Sequence, residues 1–325
     1  MSGPSERGRR SGQRAESSGP NLDELLAHMG PSGTALVTCG DLVWQSGDVD
    51  APFVIYSITK SAIAAAFLLL EQEGVLNLDT SIGSALGDGR FDASLRQLLT
   101  HSSGIPDYGR VPAYQSAVYA TPSQPWSDER FLEHVMAAGQ DFAPGEGWAY
   151  SNTGYLLLRR VLDQHGGLAS LLPAVGFKAA SVAESLSDFD RAVSATSRQL
   201  GDGIHQVAGR YHPGWVGHRT AVTTARDLHG FWSTPPAQFL DPATLVPIGR
   251  DAPGFVRACY GLGVMADPGN PHGLVIGHGG GGPGYSAAVF AAPQHDAVAI
   301  VLEPNENFPG QELARDLLTA AIAQS

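Results

Sequence analysis

The stretch YSITKSAIAAAFLLLEQEGVLNLD, residues Tyr56–Asp79, decides the fold. From Ser57 to Glu73 it is apolar on nearly every side, which predicts a helix buried in the middle of a domain. Gly74 stands where the pattern needs a helix terminator. The uninterrupted apolar run 62–70 is far shorter than the roughly 18–20 residues that cross a membrane. The sequence therefore predicts one central buried helix in a globular domain.

Segments from both ends of the chain predict a sheet around this helix. A short helical pattern over 22–29 precedes two strand-like runs, Ala35–Cys39 and Leu42–Gln45, which flank the turn Gly40-Asp41. Three short strand-like runs and a closing amphipathic helix come late in the sequence. These late segments are Leu274–Ile276, Tyr285–Ala292, Ala297–Leu302 and the helix Leu313–Ala323. We expect the two ends to form one sheet.

The middle of the chain, residues 83–250, has a different pattern. It is interrupted by Gly and Pro, and strand signals are scarce. Its helical patterns are Leu95–Thr100, Asp128–Ala138, Tyr155–His165 and Thr224–Trp232. We therefore predict one domain of two lobes: an α/β lobe from residues 21–82 and 251–325, and a mostly helical lobe, 83–250, inserted between them. Residues 1–20, rich in Ser, Gly and Arg, predict a disordered tail.

Composition and charge exclude several classes of function. The 325 residues include 20 basic and 32 acidic side chains, a net charge of −12, which argues against a nucleic-acid surface or a basic membrane patch. Cys39 and Cys259 are too few for a four-thiolate metal site or a disulfide framework, and buried free thiols are favoured over a bridge. The first twenty residues contain no apolar signal core, so we expect a cytoplasmic protein.

Ser57 and Lys60 are the first candidates for chemistry. A spacing of three places both on one helix face, where the amine can take the hydroxyl proton. Burial disfavours the ammonium form and so lowers the pKa of a lysine toward that of a base. Backbone N–H groups at the helix start could also stabilise an oxyanion. The alternative is a serine N-cap followed by an unrelated lysine. A lysine without a function would, however, destabilise such an apolar helix.

Tyr150-Ser151-Asn152 is the second candidate and follows the turn signal Pro144–Gly147. In an extended loop, residues two apart point the same way, so Tyr150 and Asn152 can face one cavity. A phenol near a cation such as Lys60 can take part in proton transfer, and an amide can hold a substrate carbonyl and an amine together. The alternative is a polar loop in which Ser151 or Asn152 caps the next helix.

The glycine run GHGGGGPG, residues Gly277–Gly284, is the third candidate. It contains a literal G-x-G-x-x-G, but a proline and a strand-like segment follow where a dinucleotide site needs a helix. Such a run suits close approach of the backbone to a ligand. His278 could bind a substrate carbonyl or carboxylate, and the N–H of Gly281 could donate to an oxyanion. The alternative is a flexible hairpin with a solvent-exposed histidine.

Together the three segments resemble the serine β-lactamase and penicillin-binding-protein superfamily, in the branch that holds class C β-lactamases, DD-peptidases, D-aminopeptidases and related esterases. The order S-x-x-K, Tyr-x-Asn, His-x-Gly carries the resemblance. LRQLLTHSSGIPDY (Leu95–Tyr108) and FAPGEGWAYSNTGYLLL (Phe142–Leu158) support it. The resemblance implies an α/β (α+β), β-lactamase-like two-lobe fold, with an antiparallel sheet flanked by helices from both chain ends and an inserted, mostly helical lobe.

The resemblance also implies site roles. Ser57 would be the acylated nucleophile, with Lys60 and Tyr150 in proton transfer. The implied substrate contacts are Asn152, His278, Gly279 and Gly280, and the implied oxyanion hole is the N–H groups of Ser57 and Gly281. His278 replaces the usual lysine, and a mostly neutral imidazole holds a carboxylate less firmly, which favours peptide, amide or ester substrates over β-lactams. The segment Gly167–Gly203 departs from the family and is expected to shape the pocket.

The sequence leaves three functions open. The first is a serine hydrolase that acts through an acyl-enzyme at Ser57 on a small-molecule ester, amide or peptide, with no cofactor or metal. The second is an acyltransferase of small-molecule biosynthesis that uses the same acyl-enzyme. The third is a non-catalytic binding or sensor protein, against which the three intact motifs argue. Metal catalysis is disfavoured because no H-E-x-x-H occurs, and His212 and His218 lie in a loop expected to be structural or pocket-lining.

Overall fold

The computed structural model describes residues 21–192, 209–249 and 252–325. The predicted tail 1–20 and the last part of the segment Gly167–Gly203 lie outside these ranges. The helices are α1 (Leu22–Leu26), α2 (Thr59–Gln72), α3 (Ile82–Leu86), α4 (Leu95–Leu99), α5 (Pro112–Ala120), α6 (Asp128–Met136), α7 (Asn152–Asp163), α8 (Leu168–Leu171), α9 (Leu186–Arg191), α10 (Ala225–Trp232) and α11 (Gly310–Gln324). The strands are β1 (Thr34–Cys39), β2 (Leu42–Ser46), β3 (Phe53–Val54), β4 (Ser181–Val182), β5 (Ala221–Thr223), β6 (Val246–Pro247), β7 (Cys259–Tyr260), β8 (Met265–Asp267), β9 (Val275–Gly282), β10 (Tyr285–Ala292) and β11 (Ala297–Glu303).

The larger sheet joins the two ends of the chain. Over the described ranges it has eight antiparallel strands in the order β2-β1-β11-β10-β9-β8-β7-β6. β1 pairs with β11 in the register Thr34↔Leu302, and β9 pairs with β10 in the register Phe290↔Gly277. The predicted antiparallel sheet built from both chain ends is confirmed.

The sequence of β11 explains why this sheet lies between two helical layers. Val298, Ile300 and Leu302 belong to one core, which contains α2 and α10. Ala299 and Val301 belong to the other core, with α1 and α11. Because side chains alternate across a strand, a continuous apolar run is stable only when both faces of the sheet are covered.

α2 is the central buried helix that its composition predicts. Every residue from Thr59 to Leu68 is buried. The chain leaves the helix at Gly74, whose φ of +71° lies in the left-handed region that glycine adopts without strain.

The start of α2 differs from the prediction by two residues. Tyr56–Ile58 form a 3₁₀ turn, and the α-helix begins at Thr59. A 3₁₀ turn repeats every three residues, so Ser57 still lies on the same face as Lys60. The spacing argument therefore holds although Ser57 precedes the α-helix.

The segment 83–250 is less uniformly helical than predicted. Near its end, α10 packs against β1, β10 and β11 of the large sheet, and β6 adds an edge strand to that sheet. β4 and β5 join β3 in a second sheet, of three strands within the described ranges. These strands are two or three residues long, too short for alternation to be read from sequence. The two-lobe boundaries stay a prediction.

Two further expectations concern the cysteines and the helices. Cys39 and Cys259 are both buried free thiols, as favoured. In the ranges given above, no helix combines the length and the apolar character that crossing a bilayer would require.

Candidate active site

Ser57 and Lys60 meet at the start of α2. The Nζ atom of Lys60 lies 3.1 Å from the Ser57 Oγ atom. Lys60 is fully buried and Ser57 is half-buried. Burial lowers the pKa of Lys60 well below its ordinary value, and the negative charge of Asp107 offsets part of that effect. A lysine with a lowered pKa can accept the serine proton, as the sequence predicts.

The backbone of β9 passes directly against the turn that carries Ser57. A Cβ atom on Gly280 would lie 2.1 Å from the Ile55 carbonyl oxygen, and one on Gly282 would lie 2.5 Å from the Tyr56 ring. Neither position can take a side chain without displacing its neighbour. Close packing of strand and turn therefore explains these two glycines.

Tyr150, in the loop before α7, and Asn152, the first residue of α7, both face Lys60. The Asn152 Oδ1 atom accepts a hydrogen bond of 2.8 Å from Lys60 Nζ, which lies 4.9 Å from the centre of the Tyr150 ring. Ser151, between them, caps α7 by accepting from the N–H of Gly154 at 3.1 Å. The capping alternative and the predicted clustering with Lys60 thus hold at the same time.

Tyr150 is a neutral phenol in this environment. Burial raises its pKa, while a hydrogen bond with the Ser57 side chain lowers it in part. The phenol therefore keeps its proton at neutral pH and can donate it to a neighbouring oxygen.

Asp107 fixes the orientation of the Asn152 amide, and sequence reasoning missed it. Its carboxylate accepts from the Asn152 backbone N–H at 3.1 Å and from Nδ2 at 3.3 Å. With Nδ2 held by Asp107, Oδ1 points to Lys60. Asp107 lies in the motif Leu95–Tyr108, but its partner is 45 residues away and no local pattern indicates it.

His278 is buried, so the alternative of a solvent-exposed histidine is wrong. Its Nδ1 donates to the Gly279 carbonyl at 2.6 Å, and its Nε2 accepts from the Tyr260 hydroxyl at 2.8 Å. Burial first, and the Lys60 charge second, lower its pKa to about 3, which keeps the imidazole neutral. Both nitrogens are engaged within the protein, and substrate contact by His278 stays a prediction.

An aromatic cluster supports Tyr150 from behind. The His101 ring lies 4.2 Å from the Tyr150 ring and 4.5 Å from the Tyr260 ring, between ring centres. His101 Nδ1 accepts from the N–H of Ser151 at 3.1 Å, so the same histidine also fixes the loop. Sequence reasoning missed His101 and Tyr260, since a buried histidine in a loop has no periodic signal.

A cavity of about 200 Å³ opens onto Ser57. Asn152, His218 and Gly281 line it, so Ser57 and Gly281 border the same space, as a shared oxyanion hole requires. Its wall also contains four tyrosines: Tyr56, Tyr108, Tyr114 and Tyr211. Gly279 faces the other side of the sheet, where an added Cβ would meet Gln311 of α11. The wall is aromatic, and the lining residues include no Asp, Glu, Lys or Arg among the residues described.

A second cavity, of about 510 Å³, is lined in part by Tyr150. Trp148, Tyr260 and Met265 supply much of its apolar wall, and Arg315 of α11 lies at its edge. Tyr150 therefore lines this larger cavity and also hydrogen-bonds Ser57, which borders the smaller one.

The two loop histidines differ in position. His212 accepts from the N–H of Gly214 at 3.0 Å and caps a 3₁₀ turn, a structural role. His218 lines the cavity, and its Nε2 lies 3.2 Å from Lys60 Nζ, a contact that the sequence did not predict. Over the described ranges, no group of three or more His, Cys, Asp or Glu residues is arranged to hold a metal ion.

This fold and this arrangement of motifs define a family. The chain belongs to the beta-lactamase family: the family model described as Beta-lactamase matches residues 27–324. The resemblance drawn from the sequence motifs is confirmed.

Two curated relatives of this chain are named as penicillin-binding proteins. The chain is 25% identical over 292 residues to a penicillin-binding protein of Bacillus subtilis (strain 168), which covers 78% of this chain and 61% of the relative. It is 28% identical over 155 residues to penicillin-binding protein 4 of Amycolatopsis lactamdurans, which covers 44% of this chain and 35% of the relative. The chain thus spans less than two thirds of the length of these curated relatives.

Solved structures with the same fold include amidases. A D-stereospecific amidohydrolase from Streptomyces sp. has a TM-score of 0.73 and 21% identity, covering 94% of this chain and 100% of that one. D-amino acid amidase from Ochrobactrum anthropi SV3, complexed with D-phenylalanine, has a TM-score of 0.71 and 20% identity, covering 94% and 97%. The penicillin binding protein from Bacillus halodurans has a TM-score of 0.71 and 19% identity, covering 94% and 100%. These likenesses establish the β-lactamase-like fold.

Proposed function

We propose that the protein is a serine hydrolase that cleaves ester or amide bonds through an acyl-enzyme at Ser57. One observation carries the proposal: the buried Lys60 holds its Nζ atom 3.1 Å from Ser57 Oγ, in surroundings that lower the lysine pKa. A serine becomes nucleophilic when a base of this kind stands beside it. Membership of the beta-lactamase family supports the same chemistry.

The steps follow from the positions of the groups. Ser57 Oγ attacks the substrate carbonyl carbon and transfers its proton to Lys60. The N–H groups of Ser57 and Gly281 stabilise the oxyanion. Tyr150 gives its phenolic proton to the leaving group, which departs, and recovers a proton from Lys60. Water then attacks the acyl-enzyme by the reverse proton route and releases the acid and free Ser57.

The cavity supports an acyl group with an uncharged, apolar side chain. Its tyrosines stay neutral, since burial raises the pKa of Tyr114 to about 12, and its wall offers no counter-ion for a charged acyl chain among the described residues. Aromatic walls bind apolar groups through their large contact area. D-amino acid amidase from Ochrobactrum anthropi SV3 was solved with D-phenylalanine and with L-phenylalanine amide, which supports an apolar side chain on the acyl group here.

A second function, acyl transfer, is favoured by the second cavity. That cavity lies against Tyr150, the proposed proton donor to the leaving group, and has room for an acceptor molecule. An amine or alcohol bound there could replace water in the second half of the reaction. The acyl-enzyme and the roles of Ser57 and Lys60 would be the same.

A substrate panel tests both functions. The purified protein is incubated with D- and L-phenylalanine amide, a short-chain aryl ester and a chromogenic cephalosporin, each with and without a small amine. We expect free acid from the aryl ester and from at least one amide, and little turnover of the cephalosporin. An amide product formed only with the added amine would identify a transferase. No turnover of any compound would contradict both functions and favour a binding protein.

A further inference from the structure

His218 is the third group that contacts the amine of Lys60. Its Nε2 atom lies 3.2 Å from Lys60 Nζ, and the side chain is 1% exposed. The two residues are 158 positions apart in the sequence. The steps proposed above leave this buried contact unexplained.

The backbone directly after His218 is held in an unfavourable conformation. Arg219 has a φ of +69°, in the left-handed region that residues with a Cβ rarely adopt. Its N–H donates to the Val216 carbonyl at 2.7 Å, which closes a tight turn around His218. Tyr56, directly before Ser57, also has a positive φ, of +41°. Strain of this kind persists where surrounding contacts require it, and it concentrates at functional sites.

The hydrogen-bond donors and acceptors around Lys60 indicate the role of His218. The Asn152 amide is oriented by Asp107, so its Oδ1 can only accept, and it takes one N–H of Lys60. A neutral amine has one further N–H and one lone pair for its two remaining neighbours, Ser57 and His218. If His218 Nε2 accepts the second N–H, the lone pair is left facing the Ser57 hydroxyl.

The opposite tautomer of His218 would prevent catalysis. An Nε2–H would take the lone pair of Lys60 and leave the Ser57 hydroxyl without a base. After proton transfer it would also point a hydrogen at the ammonium group. Nδ1 of His218 is buried and has no partner among the described residues, so the Lys60 ammonium, which can only donate, is the contact that favours the tautomer with an accepting Nε2.

The surroundings keep His218 neutral, as an acceptor must be. Burial is the largest cause, and the charge of Lys60 the second, of a pKa of His218 that lies well below its ordinary value. The ring of Tyr155 packs edge-on at 6.3 Å and adds no charge.

We propose that His218 is a positioning residue whose Nε2 accepts a hydrogen bond from Lys60 and thereby aims the lone pair of Lys60 at the Ser57 hydroxyl. The proposal rests on the proposed function, in which Ser57 is the nucleophile and Lys60 its base. After proton transfer, the same Nε2 is one of three acceptors around the ammonium, with Asn152 Oδ1 and Ser57 Oγ.

The test measures how fast a fluorophosphonate phosphonylates the protein, by intact mass, between pH 5 and pH 10. The rate rises with pH as Lys60 loses its proton. In His218→Leu the ammonium loses an acceptor, so we expect the rate to fall by about 10- to 100-fold and its acidic limb to move to lower pH. In His218→Gln the side-chain amide supplies an oxygen near the Nε2 position. Both the labelling rate and the pH of the acidic limb should therefore stay close to those of the wild type.

Controls separate this proposal from the proposed function. Failure to label the wild-type protein would contradict the function itself. If the wild type is labelled, equal rates and limbs in wild type and His218→Leu would overturn the role of His218, and so would equal losses in His218→Gln and His218→Leu. His218→Asn, whose shorter amide cannot reach Lys60, replaces His218→Leu if the latter does not fold. His229→Leu removes a histidine that bonds Thr38 outside the site and should keep the wild-type rate.

Discussion

In the proposed mechanism, the phenol of Tyr150 protonates the leaving group as it departs. Tyr150→Phe removes the phenolic hydroxyl, which carries the proton that this step needs and a hydrogen bond with Ser57, while the ring and its packing against His101 remain. We expect kcat for an amide to fall by about 10²- to 10⁴-fold, with a much smaller change in KM. Steady-state kinetics measure both. Tyr119→Phe, at a tyrosine that is 57% exposed, serves as the control, and a wild-type kcat in Tyr150→Phe would refute the assignment.

Lys60 should reduce the stability of the folded protein. Its pKa is lowered in the folded protein, so at neutral pH the unfolded chain binds a proton that the folded chain binds less well. We expect Lys60→Met to lose activity and to raise the free energy of unfolding at pH 7 by about 1–2 kcal/mol. Urea unfolding measures this change.

The pH dependence of that stability gain supplies the check. The unfavourable contribution of Lys60 is present below the ordinary lysine pKa of about 10.4 and vanishes above it. The difference between Lys60→Met and wild type should therefore shrink as the pH approaches 10. A variant that is less stable than wild type at pH 7 would mean that the hydrogen bonds of Lys60 outweigh its desolvation.

At the scale of elements, contact between β9 and the turn before α2 positions the proposed oxyanion donors. Gly280→Ala would put a Cβ atom 2.1 Å from the Ile55 carbonyl oxygen and push the strand away from Ser57. We expect a loss of about 1–3 kcal/mol in stability and a large loss of activity. Thermal melts and fluorophosphonate labelling measure the two effects.

Gly281→Ala is the matched control for stability on the same strand. No atom lies within 4 Å of a Cβ at this position, and its φ is not positive. Its melting temperature should stay within a degree or two of wild type. Equal destabilisation by both substitutions would show that the close approach of Gly280 is not what constrains β9.

Elements with a strong local pattern were predictable. The buried α2 follows from its apolar run, and β10 and β11 follow from short runs of Ala, Val, Ile and Phe. β3 to β8 are each two or three residues long, and their pairing depends on neighbours that are distant in the sequence, as for β3 and β5. The start of α2 was misplaced by two residues because the chain enters it through the 3₁₀ turn at Tyr56, whose positive φ has no signature in the sequence.

For the site as a whole, sequence motifs predicted which residues cluster but not what supports them. Ser57 and Lys60 share one helix face, so local spacing was sufficient. Asp107, His101 and His218 reach the site from loops 45 to 158 residues away from their partners, and only the folded chain brings them there. The alternative of a solvent-exposed His278 could not be decided from the sequence, because burial on β9 is a property of the whole sheet.

The whole molecule should be sensitive to acid because it buries neutral histidines. The pKa of His278 is lowered to about 3 in the folded state. Below about pH 6.5 the unfolded chain therefore binds a proton at this histidine that the folded chain does not bind. Stability is therefore lost as the pH falls from about 6.5 toward 3, by up to about 1.4 kcal/mol per pH unit for this residue. His101 and His218 act in the same direction.

Unfolding by urea at pH 7.5, 6.0 and 5.0 tests this expectation. His278→Gln keeps an acceptor for Tyr260 but cannot titrate, so its stability should fall less steeply with acid than that of wild type. Parallel curves for the two proteins would mean that His278 is protonated in the folded state as readily as in the unfolded one.

Intact-mass analysis after exposure to a fluorophosphonate tests the central claim most directly. The account predicts a single adduct in the wild-type protein, on the peptide that contains Ser57, and none in Ser57→Ala. No adduct in the folded wild-type protein, or an adduct that persists in Ser57→Ala, would contradict the assignment of Ser57 as the nucleophile.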